Sequence, residues 1–187
     1  MALIRLAREQ DAAAIADIYR PYVEDSRISF EERAPDASEM ARRIAGERPG
    51  LHPWLVAEED NQIKGFASSS PFRTRPAYRW SVETGIYLAA DAHGRGIGKC
   101  LLAMLTDLLE RQGYVAAIGA IALPNDASVR LHEALGFLPA GTYRGTGFKL
   151  GQWIDVGLWQ KDLTPRTPEP SEPVEPLPFE PLFSSQP

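Results

Sequence analysis

Apolar positions along the chain switch between a period near 3.6 and a period of 2, and the switches mark the elements. Residues 2–6 read as a short strand. Ala12, Ile15, Ile18 and Tyr19 share one face at helical spacing, which predicts a helix over 9–23 that Pro21 bends or ends. Asp36, Ala37, Ser38 and Glu39 form a capping-box pattern that opens a helix to about Gly46. Segments 54–58 and 63–69 alternate on either side of Asp60 and Asn61, a polar pair suited to a tight turn, and so predict a hairpin. A further strand covers 79–89. Leu101, Leu105 and Leu108 line one face of a helix over 96–112, closed by Gly113. A strand over 114–122, a short helix over 125–135 closed by Gly136, and a strand pair at 137–142 and 152–160 complete the pattern. Segments 49–53 and 70–76 read as loops. The chain is therefore a mixed α/β (α+β) protein without an internal repeat.

The pattern stops near Leu163. Residues 163–187 hold eight of the sixteen prolines, and four glutamates against the single basic residue Arg166. Proline removes backbone donors, and so little apolar surface cannot offset the entropy of ordering. The expected division is a folded domain over 1–162 and a Pro/Glu-rich, disordered or extended tail over 163–187. Leu177, Phe179, Leu182 and Phe183 offer the tail docking points, but a floppy terminus is the simpler reading.

A chain of 187 residues with 44% hydrophobic residues can build one core. The net charge of −5 speaks against a general nucleic-acid binder. Cys100 is the only cysteine, so no intrachain disulfide forms, and His52, His93 and His132 lack the spacing of a metal site. No run approaches the ~18 apolar residues of a membrane span, and the first residues lack a signal-peptide core. A cytoplasmic protein without metal, nucleic-acid or membrane partners is expected.

Between the strand at 79–89 and its following helix lies Ala90-Asp91-Ala92-His93-Gly94-Arg95-Gly96-Ile97-Gly98-Lys99. Glycines allow a tight turn whose N–H groups point inward, and a helix N-terminus behind such a nest favours phosphate. Arg95 and Lys99 would add charge. Neither G-x-G-x-x-G nor G-x-x-x-x-G-K-[ST] is present, and alone the loop reads equally well as a tight turn.

Taken with its neighbours, the loop resembles the pyrophosphate loop, Arg/Gln-x-x-Gly-x-Gly/Ala, of the GNAT superfamily of acetyl-CoA-dependent N-acetyltransferases. His93 stands where that family usually has Arg or Gln. Leu123-Pro124-Asn125-Asp126-Ala127-Ser128 and Leu131-His132-Glu133-Ala134-Leu135-Gly136-Phe137 resemble its second cofactor element. Tyr19-Arg20-Pro21-Tyr22-Val23, Ile28-Ser29-Phe30-Glu31, Ser70-Pro71-Phe72-Arg73, Tyr78-Arg79-Trp80-Ser81-Val82-Glu83, Gly147-Phe148-Lys149 and Trp153-Ile154-Asp155-Val156-Gly157 are similar to the phosphinothricin N-acetyltransferase branch, which also takes L-amino acids and methionine sulfoximine. The likeness runs from residue 3 to about 162. It implies the GNAT acyl-CoA N-acyltransferase fold, a mixed, mainly antiparallel sheet flanked by helices that splays near 83–89. It also implies acetyl-CoA as co-substrate without a metal, and a homodimer to which Trp153 contributes.

Glu83 is a carboxylate inside an apolar strand, a placement that calls for a partner or a task. Amide formation needs a neutral amine, and burial raises a glutamate toward the pKa of a base working near neutral pH. The resemblance implies that Glu83 is that base; a surface-facing carboxylate paired with Arg79 or another cation is the plainer reading. The same resemblance implies that Ile86, Tyr87 and Leu88 pair their backbone with the pantetheine arm, one N–H holding the thioester oxygen. Gly94, Arg95, Gly96, Ile97, Gly98 and Lys99 would hold the pyrophosphate. Asn125 caps a helix and, by resemblance, contacts the cofactor. By the same resemblance His132 stands where the family places an acid for the departing thiolate; otherwise it is a hydrogen-bonded residue lining the pocket. Arg73 and Arg75 suit an acidic acceptor or a solvated loop, and Phe30 and Tyr78 suit an apolar wall beside them or plain packing. Cys100 reads as a small buried residue.

The expected activity is transfer of acetyl from acetyl-CoA to the α-amine of a small amino-acid-like acid such as phosphinothricin, methionine sulfoximine or methionine sulfone. The alternatives are an acetyl-CoA-binding module that docks a partner through its tail, and an acetyltransferase for another small amine.

Overall fold

The computed structural model describes residues 2–46, 50–174 and, for the backbone, 182–183. Twelve elements follow in chain order: β1 (Leu3–Leu6), α1 (Ala12–Glu24), α2 (Ala37–Ala45), β2 (Trp54–Glu59), β3 (Gln62–Pro71), β4 (Ser81–Leu88), α3 (Ile97–Arg111), β5 (Ala116–Leu123), α4 (Asp126–Glu133), β6 (Leu138–Lys149), β7 (Gln152–Asp162) and β8 (Leu182–Phe183). The strands make one sheet in the order β6-β7-β5-β4-β3-β2-β1-β8. Every neighbouring pair is antiparallel except β4 and β5.

Each face of the sheet carries its own core. Leu101, Leu102, Leu105, Leu108 and Leu109 of α3 are fully buried against Val82, Ala117 and Phe137 on one face. On the other, Ile15, Ala16 and Tyr19 of α1 and Met40 of α2 meet Val56 and Phe66. Cys100, in the first turn of α3, packs against the first of these cores.

Local chemistry explains most of the element ends. The Asp36 carboxylate accepts the Glu39 N–H at 2.8 Å and caps α2. Asp60 and Asn61 both take positive φ, 52° and 60°, in the two-residue turn between β2 and β3. The helix over 9–23 differs from the expectation in two ways. Glu9–Asp11 forms a 3-10 turn, and α1 continues past Pro21 to Glu24. Proline forfeits only its own N–H bond, and its carbonyl still accepts from Asp25 N–H at 3.0 Å. The last strand pair is longer than its pattern predicts. β6 extends through Gly145 and Gly147 to Lys149, and turns at Leu150 and Gly151 into β7.

After β7 residues 163–174 lie against the folded domain. The Thr164 hydroxyl donates to Tyr114 O at 3.1 Å, Trp80 Nε1–H donates to Ser171 O at 2.8 Å, and Val174 N–H donates to Gln112 O at 3.0 Å. Farther on, Leu182 and Phe183 pair with Ile4 and Leu3 of β1. Leu177, Phe179, residues 47–49, the last of which opens the expected 49–53 loop, and the rest of the tail lie outside the described residues. Among the described residues no helix is long and apolar enough to cross a membrane, and no cluster of three or more His, Cys, Asp and Glu could hold a metal.

Candidate active site

The parallel ladder between β4 and β5 lasts four residues, from Ser81–Ala116 to Thr84–Gly119. Beyond it β4 stays with β3 up to Leu88, and β5 stays with β7 up to Leu123. The sheet therefore opens between Gly85–Leu88 and Ala120–Leu123. Leu88 shows which way the free edge faces. Ala89 N–H donates to Lys64 O of β3 at 2.9 Å, whereas both backbone groups of Leu88 turn outward to the Tyr22 hydroxyl. That hydroxyl donates to Leu88 O at 2.7 Å and accepts from Leu88 N–H at 3.3 Å.

A cavity of about 960 Å³ fills the opening. Glu83 lies on its wall, half-buried, on the α1 and α2 side of β4. Burial pushes its carboxyl above the ordinary value, and the Arg73 charge pulls the other way. Among the described residues it has no hydrogen-bond or ion-pair partner. Arg79, the partner that the plainer reading gave it, bonds instead to Glu172. The Arg79 backbone enters a 3-10 turn over Pro76–Tyr78 that points its guanidinium over Trp80, at 5.2 Å, and toward the tail.

Arg73, Arg75 and Tyr78 line the same cavity. The Arg73 guanidinium sits over the Phe72 ring at 4.3 Å and donates to Phe72 O. Neither Arg73 nor Arg75 forms a salt bridge among the described residues. Phe30 is placed elsewhere. Its ring lies on Gly147, where a Cβ would come within 2.2 Å, so the missing side chain draws it onto β6 and off the cavity wall. Its neighbours Ile28 and Glu31 line the wall instead.

Ile86, Tyr87 and Asn125 also face the cavity. Asn125 Oδ1 accepts the Ser128 N–H at 3.2 Å and caps α4. His132 is buried on α4, its Nδ1–H donating to Ser128 O at 2.8 Å. That bond keeps the proton on Nδ1 and leaves a lone pair on Nε2, which is buried without a partner. Burial lowers the imidazole pKa against the opposing pull of Ser128, so the resting ring is neutral. Room for it exists because residue 119 is glycine; a Cβ there would lie 2.6 Å from Nε2.

Beyond Leu88 the glycine loop leads into α3. Gly94 and Gly96 have φ of 73° and 78°, with open space where a side chain would stand. Ile97 and Gly98 begin the helix; a Cβ on Gly98 would meet Leu88 Cδ1 at 3.3 Å. Lys99 is exposed. Arg95 points across to Glu59, at 2.7 Å, rather than over the loop. His93 Nε2 meets the Tyr22 hydroxyl at 3.1 Å. The loop therefore presents backbone N–H groups, a helix N-terminus and Lys99, which forms no salt bridge among the described residues, to an anion, which fits a CoA pyrophosphate.

The structure adds residues that sequence reasoning missed. Tyr22 holds the free edge of β4. Glu31 takes two bonds from Arg43, at 2.7 and 2.9 Å, and one from the Tyr19 hydroxyl at 2.9 Å, building the cavity's far wall. Tyr19 and Tyr22 are three residues apart on one helix face, a spacing that could have marked them.

The acetyltransferase (GNAT) domain family model matches residues 4–158. The chain is 40% identical over 175 residues to the phosphinothricin N-acetyltransferase of Streptomyces viridochromogenes, covering 93% of each protein. It is 33% identical to the L-methionine sulfoximine/L-methionine sulfone acetyltransferase of Salmonella typhimurium, covering 86% of this chain and 94% of that protein. The crystal structure of a GNAT superfamily phosphinothricin acetyltransferase from Sinorhizobium meliloti with AcCoA superposes with a TM-score of 0.85 at 37% identity, over 93% of this chain and 94% of that one. With its sheet opened between β4 and β5 and a glycine loop at the start of α3, the chain belongs to the GNAT acetyltransferase family.

Proposed function

We propose that the protein transfers the acetyl group of acetyl-CoA to the α-amine of a small amino-acid-like acid, with Glu83 as general base. The observation that carries this is the partnerless, half-buried Glu83 carboxylate sharing a cavity with two unpaired arginines, Arg73 and Arg75. The named relatives act on phosphinothricin, methionine sulfoximine and methionine sulfone, acceptors of the size and charge this cavity suits.

Each residue has a distinct task. Arg73 and Arg75 take the acceptor's acidic groups and turn its amine toward Glu83. Glu83 removes the proton that the nitrogen must lose as the new N–C bond forms and the C–S bond breaks. The outward N–H of Ile86 and the cap residue Asn125 hold the pantetheine arm, which takes the Leu88 N–H as well in exchange for its long bond to the Tyr22 hydroxyl. Gly94, Gly96, Ile97, Gly98 and Lys99 hold the pyrophosphate. The bound thioester supplies an activated acetyl carbonyl. His132 keeps its proton on Nδ1 and its Nε2 packed on Gly119, so it serves as a hydrogen-bonded residue lining the pocket rather than as the acid for the thiolate. In this reading the protein works in the cytoplasm. A second copy packs on the exposed apolar face of β6 and β7, where Tyr143, Phe148 and Trp153 stand.

The test is thiol release from acetyl-CoA with phosphinothricin, methionine sulfone, methionine sulfoximine and ordinary amino acids, run beside Glu83→Gln. Amine-dependent release on one of these acceptors, lost in the variant, supports the reading. Acetyl-CoA binding without release on any acceptor overturns it in favour of a binding module or a different amine.

A further inference from the structure

The cavity wall is completed by residues that lie outside the acetyltransferase domain match, which ends at residue 158. Glu172 and Pro173 of the tail line the same cavity as Glu83, Arg73, Arg75 and Tyr78. This stretch is anchored at both ends. Trp80 Nε1–H holds Ser171 O, while Gln112 Nε2–H donates to Val174 O at 3.1 Å and Gln112 O accepts from Val174 N–H at 3.0 Å. Pro173 between them is buried. The Glu172 carboxylate is thereby set on the Arg79 guanidinium.

Among the described residues four arginines line the cavity: Arg43, Arg73, Arg75 and Arg79. Arg43 is committed to Glu31 and Glu39, and Arg79 to Glu172. Among the described residues Arg73 and Arg75 are left to meet an acceptor's anions, opposite the Glu83 carboxylate. We infer that Glu172 is a specificity-determining residue of the acceptor site: it withdraws Arg79 from acceptor recognition and disfavours acceptors with an anionic side chain relative to those with a neutral polar one. The inference rests on the acceptor class proposed above.

Phosphinothricin and methionine sulfone make the test. Both are α-amino acids; the first carries an anionic phosphinate and the second a neutral sulfone. Glu172→Gln keeps the side chain's shape and removes its charge. The ratio of kcat/KM for phosphinothricin over methionine sulfone is expected to rise about 3- to 10-fold in this variant at low ionic strength, and the gain to shrink as salt is added, because the pair is exposed and screened. Arg79→Gln leaves the Glu172 charge unbalanced and shifts the ratio the opposite way. A ratio within twofold of wild type in both variants overturns the inference, as does an equal fall for both acceptors, which would give the tail a purely structural role. Calorimetric binding of the two acceptors to the CoA-loaded protein reads the same ratio without turnover. A wild type that binds acceptors but acetylates none fails the proposed function while the binding ratio still decides Glu172; a wild type that binds neither acceptor overturns both.

Discussion

Glu83 shows what burial does to a single side chain. Its carboxyl is half-buried and unpaired, so the charged form loses solvation without gaining a partner, and the pKa rises. The base must be ionised to act, so kcat/KM falls as pH drops through that raised value. Arg73 pulls the pKa down, so Arg73→Gln should move the acid limb of the log(kcat/KM) profile to higher pH, in addition to raising KM for the acceptor. A limb unmoved while KM rises would leave Arg73 a binding residue only. Glu83→Gln should lower kcat by about 10²- to 10⁴-fold with an unchanged circular-dichroism spectrum; turnover within a few-fold of wild type would remove Glu83 as the base. The carboxylate was legible in the sequence because it interrupts an apolar strand. Its isolation was not, because the competing cation, Arg79, is taken by a residue 93 positions away. Tyr22 was hidden for the same reason: the carbonyl it holds lies 66 residues on.

At the scale of elements, legibility followed local chemistry. The β2–β3 hairpin could be read from Asp60 and Asn61, which tolerate the positive φ its turn needs. β6 could not be read to its full length. Most of its residues are exposed on both faces and glycines interrupt it at 141, 145 and 147, so no alternation of apolar and polar positions survives. The contact of α4 with β5 is likewise a matter of fit rather than pattern. His132 occupies the space above Gly119, and a methyl group there would fall 2.6 Å from Nε2 and 2.7 Å from Cδ2. Gly119→Ala must therefore push the imidazole off its Ser128 bond or lift α4 away from the sheet. A destabilisation of about 1–3 kcal/mol in urea is expected, the usual cost of overpacking a close contact. Because α4 also carries Asn125 at its cap, KM for acetyl-CoA should rise with it. A variant as stable as wild type with unchanged KM would mean that the ring yields freely.

The molecule as a whole is closed by side chains that join distant parts of the chain. The order of strands and the path of the tail depend on such links, and the apolar pattern carries little trace of them: among the described residues the tail is held largely by hydrogen bonds and two ion pairs, Arg79–Glu172 and Arg166–Asp162, with only Leu163 and Pro173 buried. Arg5 of β1 is the clearest link. Its guanidinium is buried and donates to Asp11, just before α1, at 2.7 and 2.8 Å and to Glu58 of β2 at 2.7 Å. It thus ties the strand that receives β8 to the first helix and to the neighbouring strand. Burial would raise the Asp11 carboxyl, but the bonds from Arg5 and the Arg8 N–H outweigh it and leave the pKa below its ordinary value. A carboxylate with a depressed folded pKa contributes stability that is fully present above its unfolded value, near ~3.9, and is lost as pH falls through the folded one. Asp11→Asn should therefore cost about 3 kcal/mol at pH 7, where it leaves Arg5 buried with only Glu58 to neutralise it. Below the folded pKa the wild type loses the same interaction, so the gap between the two proteins should narrow as acid is added. Urea unfolding at pH 7, 5, 4 and 3 measures that gap directly; a constant difference across the series would show that Asp11 acts through packing and not through its charge.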